Sequence, residues 1–260
     1  MCSAPGDDDG PRAVAAVREE ERTLRAGDGA ALREFVAQPA TGFRRGAVLI
    51  IHDVWGYTDF YKDLARRITS EGHAALLVDF FGRQGDLPDS MRAPEKTGSK
   101  PEAVAQAVQR AQQLSDERFL ADVQTAVDDL RARGADRVAG WGFCMGGRLA
   151  YLAAARVRGL AGIVAYYGFL QAEPGRLSPL QLASEIHVPI LGIFGGADPG
   201  IPADQIAAFR DALNTDQELV TYPNAPHGFL RYGTTDHKAA IDDALARTFR
   251  FFARVLAPPG

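Results

Sequence analysis

The chain has 260 residues, of which 46% are hydrophobic and 24% are charged, and its formal net charge is -4. This balance is typical of a globular protein, and the lack of a basic stripe argues against nucleic acid as a partner. No apolar run approaches the roughly 20 residues that cross a bilayer. The N-terminal stretch MCSAPGDDDGPRA is acidic and polar, unlike a secretory signal, so we expect a cytoplasmic protein that makes no membrane contact.

Apolar strands and amphipathic helices alternate along the chain after a polar lead-in. We expect residues 1–25 to be a flexible segment and residues 26–257 to be one domain. The alternation indicates an α/β fold with a mostly parallel central sheet and helices on both faces, in which functional residues gather at the carboxyl ends of the strands. Strands are predicted at 33–40, 46–53, 74–80, 136–143, 159–168, 188–196 and 217–223, and helices at 58–72, 101–113, 115–134, 145–156, 202–214 and 236–256.

The long connection at residues 81–100 is rich in glycine, proline and polar residues. A connection of this length in a compact domain is typical of a lid or a binding loop. We therefore expect it to shape specificity.

Only two cysteines occur, Cys2 and Cys144. Because Cys2 lies in the polar lead-in, a structural disulfide between the two is not expected. The chain has no CxxC pair and only five scattered histidines, so we expect neither a metal site nor a cofactor.

Cys144 lies in the stretch Gly142–Gly146, which has the form G-x-C-x-G. A predicted strand leads into this stretch and a predicted helix leads out. This is the pattern of the nucleophile elbow of α/β-hydrolases, with sulfur in place of the usual serine oxygen. The helix N-terminus also favours a thiolate. The alternative is a buried structural cysteine beside a glycine-rich turn.

Two residues complete a triad in the order that this elbow predicts. Asp198 follows the strand at 188–196, and His227 follows the last strand. His227 would accept the proton of Cys144, and Asp198 would hold the imidazole tautomer. The alternatives are a turn aspartate in the DPG stretch and a loop histidine without a role.

The loop after the strand at 46–53, read as IIHDVWG, predicts the other half of an oxyanion hole. Its donors would be the backbone N–H groups of Met145 and Val54. Asp53 in the same loop is either a residue of the site or a strand-end aspartate that caps a turn. Trp55, Phe81 and Tyr167 either line the pocket or pack in the core.

Five stretches in order, IIHDVWG, GFCMGGRLA, VAYYG, GGADPGIP and PHGFLR, resemble the dienelactone hydrolase family of α/β-hydrolases over about residues 47–231. The resemblance implies an α/β-hydrolase fold and a Cys-Asp-His triad of Cys144, Asp198 and His227. It also implies that Asp53 stands where the family typically has a glutamate that helps to deprotonate the cysteine.

The family also holds a substrate carboxylate with arginines. Arg231 matches one of these, while Arg83, Arg92 and Lys96 compete for the second position.

The sequence therefore predicts a cysteine-dependent hydrolase of an ester or lactone, acting through a thioester, as a monomer or homodimer. Its partner is a small-molecule substrate, with or without a carboxylate. One alternative is a general carboxylesterase or thioesterase with an uncharged substrate. The other is a non-catalytic binding or redox protein in which Cys144 is only oxidised or packed.

Overall fold

The computed structural model describes residues 17–44, 46–85, 100–172 and 175–258. Within them, eight strands form one sheet with helices around it. The strands are β1 (Arg18–Arg25), β2 (Ala31–Gln38), β3 (Ala47–Ile51), β4 (Ala74–Val78), β5 (Val138–Phe143), β6 (Leu160–Tyr166), β7 (Ile190–Gly195) and β8 (Gln217–Tyr222). Their order across the sheet is β1-β2-β4-β3-β5-β6-β7-β8.

The sheet is antiparallel where β2 meets β1 and β4, and it is parallel from β4 through β3, β5, β6 and β7 to β8. Every residue of β3, β4, β5 and β7 is buried, as expected of parallel strands with continuous apolar runs. Because parallel strands end at the same edge of the sheet, the loops after β3, β5, β7 and β8 meet there.

The longer helices agree with the predicted ones to within a few residues at each end, and the predicted α/β class is confirmed. Two single-turn helices, Pro179–Leu182 and Phe229–Tyr232, were not predicted because four residues carry no helical periodicity. The helices are α1 (Asp59–Ser70), α2 (Pro101–Gln112), α3 (Asp116–Ala132), α4 (Met145–Arg156), α5 (Pro179–Leu182), α6 (Ala203–Ala212), α7 (Phe229–Tyr232) and α8 (Lys238–Val255).

Strand β1 shows that the sheet begins before the boundary that we expected at residue 25. Its sequence REEERTLR is almost wholly exposed, with only Leu24 buried, so it lacks the alternation that marks a half-buried strand. The charges suit an edge strand, which must not pair with other chains. Glu19 and Glu21 also pair with Arg66 and Lys62 of α1. Residues 1–16 lie outside the described residues.

The expected lid loop is described only in part. Residues 82–84 form one 3-10 turn, and residues 86–99, with most of that prediction, lie outside the described residues. Across the described part of the chain, no helix is both long and apolar enough to cross a bilayer.

Candidate active site

Cys144 stands alone between the end of β5 and the start of α4. Its backbone has φ 55° and ψ -116°, and Tyr167 (φ 39°) is the other described non-glycine residue with a positive φ. Such conformations cost of order 1–3 kcal/mol and gather at functional sites. The Cys144 N–H donates to the Tyr166 oxygen at 3.0 Å, which ties the turn to β6. The thiol is thereby held at the carboxyl edge of the sheet, partly exposed.

Glycine on either side of the cysteine allows three backbones to approach. A Cβ on Gly142 would lie 2.1 Å from the Gly146 oxygen, and a Cβ on Gly146 would lie 2.2 Å from the Ile51 oxygen and 2.4 Å from the His52 oxygen. These are backbone atoms that cannot swing aside. The two glycines therefore let the loop after β3 lie directly against the start of α4.

Asp198 and His227 come together although they follow different strands. His227 Nδ1 donates to Asp198 Oδ2 at 2.6 Å, a short charge-assisted bond. Asp198 is buried, and its other oxygen accepts from the Gly200 N–H at 2.9 Å, which fixes the carboxylate. The other ring nitrogen of His227, Nε2, is buried, and the Cys144 thiol lies close enough to the ring to favour its charged form.

The surroundings of His227 favour the imidazolium. Burial by itself would lower its pKa, but the hydrogen bond to Asp198 and the nearness of Cys144 outweigh burial and raise the pKa to about 10. The ring also stacks on Phe169 at 5.2 Å and contacts Tyr167 at 5.1 Å between ring centres. His227 is therefore suited to hold a proton beside a thiolate.

The two predicted oxyanion donors are the backbone N–H groups of Val54 and Met145. Neither the Val54 nor the Met145 N–H makes a backbone hydrogen bond within the described residues. Met145 is the first residue of the twelve-residue helix α4, whose N-terminal amides favour negative charge. Both residues line the same cavity as Cys144, which is where an oxyanion donor would have to lie.

Asp53 and Arg231 form a buried ion pair with each other. Arg231 Nη1 lies 3.1 Å from Asp53 Oδ2, Nη2 donates to Thr58 Oγ1 at 3.3 Å, and only 1% of the Arg231 side chain is exposed. Asp53 Oδ1 also accepts from the Trp55 N–H at 2.9 Å. None of these described hydrogen bonds of Asp53 reaches Cys144.

Arg83, one of the three candidates for the second carboxylate-binding position, is held by two carboxylates away from the cavity. Its guanidinium is bound to Asp122 at 2.6 and 2.9 Å and to Asp28 at 2.8 and 3.1 Å, and Arg83 is not among the described residues that line the cavity. A nearly buried carboxylate on α3 holds this arginine more strongly than an open cavity can. The competing candidates Arg92 and Lys96 lie outside the described residues.

A cavity of about 860 Å³ opens beside Cys144 and His227. Trp55 and Tyr167 line it, as one of the two alternatives predicted, whereas Phe81 is fully buried in the core. Sequence reasoning missed the wall that α2 contributes through Val104 and Val108, which are 36% and 41% exposed. Two valines on the outer face of an amphipathic helix were the available signal.

Among the described residues, no group of three or more histidine, cysteine or acidic side chains is placed to hold a metal ion.

Known proteins are similar to this chain over most of its length. The sequence model of the dienelactone hydrolase family matches residues 32–256. A protein of Saccharolobus solfataricus named "Putative carboxymethylenebutenolidase" is 32% identical over 256 residues, covering 88% of this chain and 96% of its own. A carboxymethylenebutenolidase of Rhodococcus opacus is 30% identical over 224 residues, covering 80% of this chain and 81% of its own. A Klebsiella pneumoniae crystal structure described as "Putative Dienelactone Hydrolase" superposes with TM-score 0.79 at 29% identity, covering 92% of this chain and 99% of that one.

Proposed function

Because this chain belongs to the dienelactone hydrolase family of ester and lactone hydrolases, we propose that it cleaves its substrate with a Cys144-His227-Asp198 triad. One observation carries the proposal. The 2.6 Å bond between Asp198 and His227 stands beside a strained, partly exposed Cys144 at the wall of a cavity. A nucleophile, a base and a group that orients the base are the three parts that acyl transfer requires.

The reaction begins when the Cys144 thiolate attacks the substrate carbonyl carbon, while His227 carries the thiol proton. The carbonyl oxygen becomes negative and accepts hydrogen bonds from the Val54 and Met145 N–H groups. When the tetrahedral adduct collapses, the carbon–oxygen bond of the ester breaks. His227 gives its proton to the leaving alcohol or enol, and Cys144 keeps the acyl group as a thioester.

Water completes the cycle in the same geometry. His227, now neutral, takes a proton from water, and the hydroxide attacks the thioester. The second tetrahedral adduct uses the same two amides and releases the carboxylic acid. The thiolate of Cys144 leaves, with the water proton retained on His227, so the thiolate and imidazolium are restored. Asp198 holds the imidazole orientation through both steps.

A second candidate function, a general esterase acting on uncharged substrates, is favoured by the state of Arg231. Its guanidinium is already bound to Asp53 and Thr58 and is buried, so a substrate carboxylate would have to replace Asp53. The exposed wall at Val104 and Val108 suits an apolar acyl or aryl group.

Matched substrates decide between the two. We expect kcat/KM for a neutral aryl ester to exceed that for the same ester with an added carboxylate by about tenfold or more, as expected when a buried ion pair must open. A preference for the carboxylate-bearing lactone instead would favour dienelactone-type substrates, with Arg231 released from Asp53 on binding.

The triad is tested by intact-protein mass spectrometry after brief exposure to an activated aryl ester. We expect one acyl adduct in the wild type and in Cys2→Ala, and none in Cys144→Ala. Cys2→Ala is the matched control because it removes the only other thiol. Cys144→Ser tests whether oxygen can replace sulfur in this elbow.

Turnover of esters by Cys144→Ala at the wild-type rate would disprove the nucleophile assignment. No adduct and no turnover with esters or lactones in the wild type would favour the alternative of a binding or redox protein.

A further inference from the structure

His52 is a fully buried histidine whose two ring nitrogens both make hydrogen bonds. It follows β3 directly and is 0% exposed. Its Nδ1 lies 2.8 Å from the Asp53 carbonyl oxygen, and its Nε2 lies 3.2 Å from the Phe80 backbone nitrogen. A carbonyl oxygen only accepts and a backbone N–H only donates, so Nδ1 carries the proton and Nε2 has none. The two bonds thus define one neutral tautomer.

The surroundings of His52 keep the ring in this state. Its centre lies 4.9 Å from that of Phe81, 5.6 Å from Phe80 and 6.4 Å from Tyr61. Burial lowers the pKa of His52, and the nearby carboxylates of Asp79 and Asp53 do not overcome it. The ring is therefore both neutral and enclosed by aromatic side chains.

The Nδ1 bond is accepted by the peptide group that carries the Val54 N–H. The Asp53 carbonyl and the Val54 N–H are two ends of the same planar peptide group. The described chain contains no cis peptide bond, so this N–H points opposite to the carbonyl. The Gly56 N–H also donates to the Asp53 oxygen at 3.1 Å. Two donors on one carbonyl oxygen fix the peptide plane and, with it, the direction of the Val54 N–H.

We propose that His52 is a positioning residue that aims the Val54 N–H at the oxyanion and polarises it through the Asp53 carbonyl. The inference rests on the proposed function, because that function makes Val54 an oxyanion donor. Hydrogen bonds in a chain strengthen one another, so a bond accepted by the carbonyl makes the N–H of the same peptide a better donor. His52 itself touches neither the substrate nor the reacting atoms.

Two variants separate this role from simple support of the fold. His52→Asn places an amide N–H where Nδ1 was and leaves the Phe80 N–H with its bond to the Val78 oxygen alone. His52→Gln places an amide oxygen near the Nε2 position and leaves the Asp53 oxygen without that donor. Both variants lose one buried hydrogen bond and part of the ring packing, so we expect them to lower Tm by similar amounts.

Their kinetics should differ. Deleting an oxyanion donor costs about 100- to 1,000-fold in kcat, and misdirecting one costs less. We expect kcat to fall by about 10- to 100-fold in His52→Gln and by less than about threefold in His52→Asn, with KM nearly unchanged in both. A trifluoromethyl ketone inhibitor accepts the Cys144 thiolate at its carbonyl carbon, and the resulting alkoxide occupies the oxyanion hole. The affinity for this inhibitor should fall by the same factor as kcat.

Equal losses of kcat in the two variants, or a loss confined to KM, would overturn the inference while leaving the proposed function intact. A wild type without esterase or lactonase activity would overturn both. A third measurement needs no variant. Nitrogen NMR of the wild type with labelled histidine should show His52 protonated at Nδ1 and bare at Nε2, and the opposite tautomer would refute the proposal even if neither variant folds.

Discussion

Replacing Gly146 by alanine adds a single methyl group at the closest approach between the loop after β3 and the start of α4. The new Cβ would lie 2.2 Å from the Ile51 oxygen and 2.4 Å from the His52 oxygen, whereas ordinary contacts begin at 3.4 Å. Because both neighbours are backbone atoms, no side-chain rotation relieves the clash. The loop must therefore move away from α4 by about 1.2 Å.

This displacement sets the expected magnitude. The moved carbonyls lie two and three residues before the Val54 N–H, so this proposed oxyanion donor moves with them. A misplacement of about 1 Å in a catalytic group costs about 100-fold in rate. Overpacking of this kind also costs about 2 kcal/mol of folding free energy. For a chain of this size that corresponds to a fall in Tm of about 4 to 8 °C.

The assay is steady-state hydrolysis of an activated aryl ester together with thermal unfolding of the same samples. We expect Gly146→Ala to lose kcat by about 100-fold with little change in KM. Gly27→Ala is the matched control, because a Cβ there meets no atom within 4 Å. A Gly146→Ala enzyme with wild-type kcat and Tm would refute the argument that glycine is required where the loop meets α4.

Three further predictions test the charges and the cavity. Because the pKa of His227 is raised from 6.5 to about 10, its ring should titrate near pH 10 by NMR. Its contribution to stability should be complete below pH 6.5 and lost as the pH rises from 6.5 to 10, and a midpoint near 6.5 would contradict this. Arg148→Met removes the two hydrogen bonds to nearly buried Asp116 and should lower the free energy of unfolding in urea by about 3 kcal/mol. The loss stays at the lower end of the usual range because Arg176 still contacts that carboxylate. Arg156→Met, which removes an exposed pair, should cost less than about 1 kcal/mol, and equal costs would refute the distinction. Val108→Glu should raise KM for aryl esters by about tenfold and leave Tm within 2 to 3 °C, because this valine is exposed in the cavity wall. An unchanged KM would show that substrate does not contact α2.

The α/β class and the order of the triad candidates were predictable because both are encoded locally. Continuous apolar runs marked the buried parallel strands, and each run ended beside a residue able to do chemistry. Gly142 and Gly146 around Cys144 predicted a tight turn, and the structure shows backbone atoms where their side chains would be. Asp198 and His227 could be paired from chain order alone, because parallel strands end at a common edge.

Polar side chains with several possible partners could not be placed in this way. Arg231 and Asp53 are 178 residues apart in sequence, and Arg83 and Asp122 are 39 apart. An arginine near a site can bind substrate or a neighbouring carboxylate, and the pattern of residues is the same in both cases. Which of these partners the arginine binds depends on burial and on distances of a few ångströms.

Strand β1 and the role inferred for His52 could not be predicted from the sequence, because both depend on contacts with distant residues. A charged edge strand has no apolar alternation, so only its pairing with β2 reveals it. A histidine at a strand end has no distinctive spacing. The tautomer of His52 depends on the Phe80 N–H, which the fold brings from 28 residues away. The sequence by itself determined which residues can react and in what order they occur, because periodicity and turn chemistry are local. The tertiary structure alone decided which charges neutralise each other and which amides remain available, because these depend on contacts between distant parts of the chain.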